Sequence, residues 1–268
     1  MTILDLSGYF AAIFVGMTLG IIGAGGSILT VPVLVYLFGI TPTLATAYSL
    51  FVVGLTALVG STTYMRQKLV SHKTALIFAI PSFVTVFMTR KFIMPAIPTE
   101  LFVLYDKVIT KDLAIMVLFA LLMLTASFSM IRGGGSHPEE RVHKFDYMLI
   151  LVEGFGVGLL TGLVGMGGGF LIIPALVVFA KLPMKMAVGT SLLIIAANAL
   201  VGFTGDLGTT PIDWFFLVKF STFTVAGIVV GSYLGRFFSS ARLKPMFGWF
   251  VLVMGIYIIV REVLGVAV

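Results

Sequence analysis

Polar residues in this chain are confined to short intervals between long apolar runs. In the first half the runs cover residues 8–22, 28–38, 42–64, 74–94 and 113–131, and in the second half residues 147–180, 184–205, 214–238 and 243–260. A helix rises 1.5 Å per residue, so about 20 residues cross a hydrocarbon core of about 30 Å. The runs are of that order and lack the alternation of barrel strands. They predict an all-α polytopic membrane protein. The first two runs are too long for one ordinary span and too short for two, since about 31 residues as one helix would reach about 46 Å. The hydrophilic Gly/Pro-bearing interval RGGGSHPEERVHKFD divides the chain. This gives a first repeat at 1–131, a central cytoplasmic linker at 132–145 and a second repeat at 146–268.

The two halves share a motif. GIIGAGGSILTVP at residues 20–32 and GLVGMGGGFLIIP at residues 162–174 align without a gap at an offset of 142 residues. Gly20/Gly162, Gly23/Gly165, Gly25/Gly167, Gly26/Gly168, Leu29/Leu171 and Pro32/Pro174 coincide. The register continues through Ala45/Ala187, Ser49/Ser191, Leu50/Leu192, Ala57/Ala199, Gly60/Gly202 and Thr62/Thr204, which indicates an internal duplication. Glycine costs about 1 kcal/mol relative to alanine inside a helix and readily takes positive φ. Each copy therefore reads as a helix, a glycine turn and a second helix.

Composition agrees with a membrane setting: 59% of residues are hydrophobic, 10% are charged and the mean hydropathy is +1.16. Absence of cysteine excludes disulfides and thiolate metal sites, and His72, His137 and His143 all lie in hydrophilic connections. No metal or cofactor is expected. The formal charge of +6 resides mainly in short connecting loops, so it carries topology information and does not imply a nucleic-acid partner. With no Lys or Arg ahead of the first apolar run, a cleaved signal peptide is not expected.

Loop charge then bears on orientation, because cytoplasmic loops carry the Lys and Arg excess. The loop with Arg66, Lys68 and Lys73 corresponds to one in the second half with Asp206 and Asp213 and no basic residue. The loop with Lys181 and Lys185 corresponds to the uncharged YLFGITPT. Equivalent loops thus fall on opposite sides. The expected architecture is two inverted repeats, each a broken re-entrant helical hairpin plus three transmembrane helices, with both termini outside. The stretch near residues 95–112, slightly basic, is placed outside against its charge.

Irregular backbone at membrane depth is tolerated where protein or a water-filled cavity satisfies it, and interrupted helices in inverted repeats commonly hold substrate near the midplane. The second half-helices are expected to begin near Ser27 and Gly169. Free N–H groups and a positive helix end there would favour an anion. Gly25, Gly26, Ser27, Gly167, Gly168 and Gly169 are the backbone candidates. On that basis leucine at Gly26 or Gly168 should leave a folded protein that has lost anion binding. Ser49 and Ser191, equivalent in the repeat, and Asn198 are the side-chain candidates. Glu153, a carboxylate within LILVEGFGVGLLTG, is the coupling candidate, because ionisable groups in membrane segments are functional hypotheses. Arg90, Lys91 and Lys219 read as interface markers able to draw an anion to its entrance. The pairs Gly16/Gly20 and Gly158/Gly162, with Gly227, Gly231 and Gly235, have the spacing of close helix packing.

The doubled glycine motif, the ATAYS and AVGTS continuations and the overall length resemble the TauE/SafE sulfite exporter family, also called TSUP. The resemblance covers essentially the whole chain. It implies a non-enzymatic transporter that moves sulfite, sulfoacetate or a related sulfur-containing anion across the bacterial inner membrane. The partners are then that anion and the lipid bilayer; a homodimer is compatible with the sequence but not encoded in it. An anion channel is the alternative, separable by saturable flux. An intramembrane enzyme is disfavoured, since no histidine, cysteine or paired carboxylate lies in the apolar runs to perform acid–base or nucleophilic work.

Overall fold

The computed structural model describes residues 3–104, 107–132, 147–169, 172–173, 176, 180, 182–234 and 240–264. All but the first residue of the expected central linker lies outside them. In the first half, α1 spans Ile3–Ile22, a 3-10 turn Ala24–Leu29, α2 Thr30–Phe38, α3 Pro42–Arg66 and α4 His72–Met88. A π-helical turn, Thr89–Ile93, prolongs α4, and α5 follows at Lys111–Arg132. In the second half, α6 is Tyr147–Val164, α7 Met184–Asp206, α8 Trp214–Leu234 and α9 Ser240–Leu264. Among the described residues five helices are long and apolar enough to cross a membrane. The protein is an all-α polytopic membrane protein. Large exposed side chains such as Phe10 and Phe215 give it an apolar outer surface suited to lipid.

One element was not expected. The mixed-charge stretch before α5 folds as an antiparallel β-hairpin, β1 Glu100–Leu104 with β2 Lys107–Thr110, pairing Val103 with Val108. The β-branched residues Val103, Val108, Ile109 and Thr110 favour extended backbone, a signal masked by the neighbouring charges.

Small residues set how the helices meet. A Cβ on Gly16 would strike the Thr224 carbonyl, and one on Gly20 would lie 2.6 Å from the Ser232 nitrogen. Gly227 and Gly231 answer from α8, abutting Ile13 and Met17. Such glycine stripes let backbones approach closely where lipid is as apolar as the side chains. The equivalent contact joins α6 to α4: Gly158 meets Ser82 and Thr85, and Gly162 would place a Cβ 2.6 Å from that of Thr89. In both pairs residue numbers rise together, so α1 runs parallel to α8 and α6 parallel to α4. The first helix of each half thus packs on a helix of the other half, α1 on α8 and α6 on α4.

The first break folds the chain back on itself. A Cβ on Gly8, near the start of α1, would meet the Phe38 ring at the end of α2, and the Tyr9 and Phe38 rings are 5.4 Å apart. The hairpin therefore enters and leaves at one end of the bundle. Phe38 also packs edge-on against Phe216 of α8 at 5.0 Å, the Tyr48 hydroxyl accepts the Asp213 N–H at 2.7 Å, and Asp112 accepts the Thr43 N–H at 2.9 Å. The starts of α1, α3, α5 and α8 thus share that end. At the opposite end the Ser71 N–H, ahead of α4, donates to Thr190 Oγ1 of α7 at 2.9 Å. Helices α5 and α9 run antiparallel, with Gly248 against Met130 and Ile131 and Gly255 against Met123 and Leu124. Helices in the same place in the two halves consequently run in opposite directions.

Candidate functional site

The two glycine turns differ in detail. In the first, Gly23 has φ +80°, and a Cβ there would sit 2.7 Å from Val188 Cγ1 on α7. The chain then tightens into the 3-10 turn that carries Gly25, Gly26 and Ser27, and α2 begins at Thr30, later than the expected Ser27. Gly26 is buried, and a Cβ on it would lie 2.6 Å from the Leu19 Cα. Ser27 is buried, and its carbonyl accepts the Thr30 N–H. In the second turn Gly165, Gly167 and Gly168 have φ of +76°, +69° and +70°. Gly165 lies on Thr46, Gly167 between Ile195 and Val53, and Gly168 against Thr161 and Val157. Gly169 is buried, and much of the segment after it falls outside the described residues.

These contacts overturn the expectation that leucine at Gly26 or Gly168 would be structurally silent. At Gly26 a side chain meets helix backbone, which no rotamer relieves. At Gly168 a side chain is strained by positive φ as well as by Thr161. Gly26 and Gly168 are first of all what lets each turn lie against its own first helix.

What the turns face is polar at regular intervals. Thr46, Ser49, Val53 and Thr56 follow one another by three, four and three residues, which places them on one face of α3. Val188, Ser191, Ile195 and Asn198 form the equivalent stripe on α7, each 142 residues further on. The second turn contacts the α3 stripe at Thr46 and Val53, on either side of Ser49. The first turn contacts the α7 stripe at Val188, one helical turn before Ser191. Each glycine turn therefore packs on the serine-bearing helix of the other half.

The hydroxyls are unequal. Ser191 Oγ donates to the Val188 carbonyl at 2.8 Å, the common fallback of a helical serine. Ser49 Oγ is fully buried and has no hydrogen-bond partner among the described residues. Asn198 Nδ2 donates to Ser82 Oγ of α4 at 2.6 Å, while its Oδ1 has no partner. The equivalent tie links Thr56 and Thr224, whose hydroxyls are 2.8 Å apart. Thr56, Ser82 and Thr224 were not picked out from the sequence, although Thr56/Asn198 and Ser82/Thr224 keep the offset of 142 that marks the duplication. Glu153 is partly buried, with one carboxylate oxygen unpartnered. It lies twelve residues before Gly165, about 18 Å along α6, so it is not brought to the turns.

Arg90 departs from its reading as an interface marker. It is 1% exposed, within the π-helical turn, and its Nη1 lies 3.5 Å from Asp206 Oδ2 at the end of α7. Lys91, beside it, is exposed and rests over the Phe87 ring at 5.3 Å, while Lys219 caps the Tyr9 ring at 4.5 Å. Among the described residues the interior thus holds two glycine turns, unpartnered hydroxyls at Thr30, Ser49, Thr161 and Ser221, two symmetry-related polar ties and one ion pair, in an otherwise apolar bundle.

Comparison with known proteins bears on what such a bundle is for. A family profile described as sulfite exporter TauE/SafE matches residues 9–258. A probable membrane transporter protein of Xylella fastidiosa (strain 9a5c) is 29% identical over 255 residues, covering 92% of each chain. The probable membrane transporter protein YunE of Bacillus subtilis (strain 168) is 27% identical over 80% of this chain and 81% of its own. A shorter match, 32% identical over 127 residues, links 42% of the chain to 46% of the probable membrane transporter protein MJ0441 of Methanocaldococcus jannaschii. No solved structure matches the chain. These relatives are named as transporters, not enzymes. With a match that runs from the first hairpin to the last helix, the chain belongs to the sulfite exporter TauE/SafE family of membrane transporters.

Proposed function

We propose that this transporter exports a small sulfur-containing anion, such as sulfite, sulfoacetate or a related organosulfonate, across the bacterial inner membrane. The anion is held where the two glycine turns cross the helices of the opposite half. The observation that carries the reading is Ser49: a fully buried hydroxyl without a partner, on the helix face that Gly165 and Gly167 touch. A buried hydroxyl left unpaired costs free energy that a ligand oxygen recovers. Backbone N–H groups of Gly25 and of Gly167 to Gly169 supply further donors, whereas the Gly26 N–H is spent on the Gly23 carbonyl, and Ser191 joins by leaving its own helix.

The opposed directions of equivalent helices, the opposed loop charges and a hairpin that returns to its own end support two inverted halves. In that arrangement the hairpins enter from opposite faces, and rocking of one half against the other exposes the site alternately. Glu153 is the coupling residue in this reading, near the inner surface and not at the anion.

The test is flux in proteoliposomes. Sulfite and sulfoacetate should enter saturably and compete with each other, whereas an anion channel would pass them without saturation. Ser49→Ala should weaken half-saturation by about tenfold, the equivalent of one charge-assisted hydrogen bond. Glu153→Gln should abolish stimulation by a proton gradient while leaving anion binding intact. Unchanged transport in Ser49→Ala contradicts the site, and unchanged gradient stimulation in Glu153→Gln contradicts the coupling.

A further inference from the structure

The Arg90 guanidinium is used on one edge only. Its Nη1 faces Asp206 Oδ2 at 3.5 Å, while Nε and Nη2 are buried and have no partner among the described residues. Nε and Nη2 lie on the same edge of the guanidinium, with parallel N–H bonds, and that edge is the fork arginine uses for bidentate recognition of an oxyanion. Two donors sealed from water without acceptors are costly unless something accepts from them.

The local backbone is shaped to hold this side chain inward. The π-helical turn Thr89–Ile93 inserts an extra residue at the end of α4, a feature frequent at functional sites. Thr89 and Arg90 are buried there while Lys91 to Ile93 are exposed. Gly205 makes room: a Cβ on it would lie 2.8 Å from Arg90 Cβ. Lys111 is a second cation within electrostatic reach of Arg90 and Asp206, and its ammonium donates to the Met94 carbonyl. Asp112 accepts the N–H and hydroxyl of Thr43 on Oδ1 and keeps its charge beside Lys111. Lys111 thus has its own carboxylate, and Asp206 faces Arg90 through Nη1 alone.

The duplication gives an independent comparison. Positions equivalent to Arg90 and Asp206 in the other half are Ser232 and Tyr64. The fold therefore builds this junction in its other copy without an ion pair, and the charged version belongs to one end of the bundle only. That end is the one where α1, α3, α5 and α8 begin.

We infer that the Nε/Nη2 edge of Arg90 is a second oxyanion subsite, separate from the glycine turns and placed at one end of the bundle. An oxyanion accepts from both N–H groups while Asp206 keeps the guanidinium oriented through Nη1. The inference rests on the reading of the chain as an anion transporter but on none of the residues of the crossed turns. The occupant is an oxyanion with two coplanar acceptor oxygens, carried either by the transported anion or by a lipid headgroup phosphate.

The experiment measures equilibrium binding of sulfite and methanesulfonate to full-length protein in phosphatidylcholine nanodiscs. Variants are Arg90→Lys, Asp206→Asn and Ser49→Ala, each checked for monodispersity and thermal unfolding. Arg90→Lys keeps the charge and loses the fork, and should bind about tenfold more weakly, the equivalent of one lost hydrogen bond to a charged group. Asp206→Asn keeps the fork and removes its competitor, and should bind more tightly, an outcome no purely structural ion pair produces. If Arg90→Lys does not fold, the sign of the Asp206→Asn change decides alone. Native mass spectrometry of the nanodisc protein separates the sources. A phospholipid retained by wild type and lost in Arg90→Lys assigns the subsite to a headgroup; binding of both anions without retained lipid assigns it to the substrate. Unchanged anion affinity and lipid retention in Arg90→Lys, or unchanged or weaker binding in Asp206→Asn, overturns the proposal. Loss of binding in Arg90→Lys with none in Ser49→Ala would sink the crossed-turn site instead and leave this one standing.

Discussion

The Asn198–Ser82 tie yields a quantitative prediction that separates two effects usually confounded. Ser82→Ala removes a 2.6 Å interhelical hydrogen bond and leaves the Asn198 amide without a partner on either atom, since its Oδ1 already lacks one. Interhelical hydrogen bonds in membranes average about 0.6 kcal/mol, with a maximum near about 1.7 kcal/mol. A wholly orphaned amide belongs at the upper end, so we expect a loss of about 1.5 kcal/mol. Asn198→Leu removes the same bond but leaves only the Ser82 hydroxyl, which can fall back on its own helix. That variant should lose about 0.5 kcal/mol or less. The ranking is the test, because both variants delete one bond and only one strands a polar group. Thermal unfolding in nanodiscs reads it directly: about 2–4 °C per kcal/mol predicts a lowering near about 5 °C for Ser82→Ala and barely 2 °C for Asn198→Leu. The double variant should resemble Asn198→Leu. Equal shifts, or a larger one in Asn198→Leu, would refute the reasoning.

Three further outcomes follow from the same geometry. The pair Thr56→Val and Thr224→Val should cost little, under about 0.5 kcal/mol each, because the hydroxyl left behind can donate to its own helix, Thr56 to the Val52 carbonyl or Thr224 to that of Ser221; unfolding temperatures check it. Gly26→Ala should destabilise more than Gly39→Ala. The first puts a methyl against the Leu19 backbone at about 1–3 kcal/mol of overpacking, whereas Gly39 has φ +66° but open space around it, leaving only the left-handed penalty of about 1–2 kcal/mol. The native chain has no cysteine, so single cysteines report topology: exposed Thr41 and Thr209 should react with an impermeant thiol reagent from one side, and exposed Gln67 and Lys185 from the other. Labelling of Thr41→Cys and Gln67→Cys from the same side would contradict the expected path of α3.

Much of this was readable from the sequence because lipid imposes simple rules. Apolar runs near 20 residues gave the helices, and the repeated glycine motif located both breaks, where Gly23 in the first copy and Gly165, Gly167 and Gly168 in the second take the positive φ that other residues resist. The glycine pairs at 16/20 and 158/162 were correctly read as packing. The role of Gly26 was not legible: glycines that let a ligand approach and glycines that let a helix approach look alike in a sequence, and only the nearness of Leu19 separates them. Arg90 was misread because a basic residue near a helix end usually snorkels outward, and the π-helical turn that reverses its direction leaves no compositional mark. Thr56, Ser82 and Thr224 passed unnoticed because isolated hydroxyl residues in apolar helices mostly bond to their own backbone. Their partners lie 116 and 168 residues away, and only the offset of the duplication ties them together.

The glycine turns form a transport site only if a sulfur oxyanion binds where they meet the helices of the opposite half. Equilibrium binding of radiolabelled sulfite to the purified transporter, in wild type and in the Ser49→Ala/Ser191→Ala double variant, tests this most directly, with thermal unfolding confirming that both fold. Saturable binding in the wild type that weakens by about tenfold or more in the double variant, at nearly unchanged unfolding temperature, is the predicted result. Equal affinity in the two proteins, or no saturable sulfite binding to either, would contradict it.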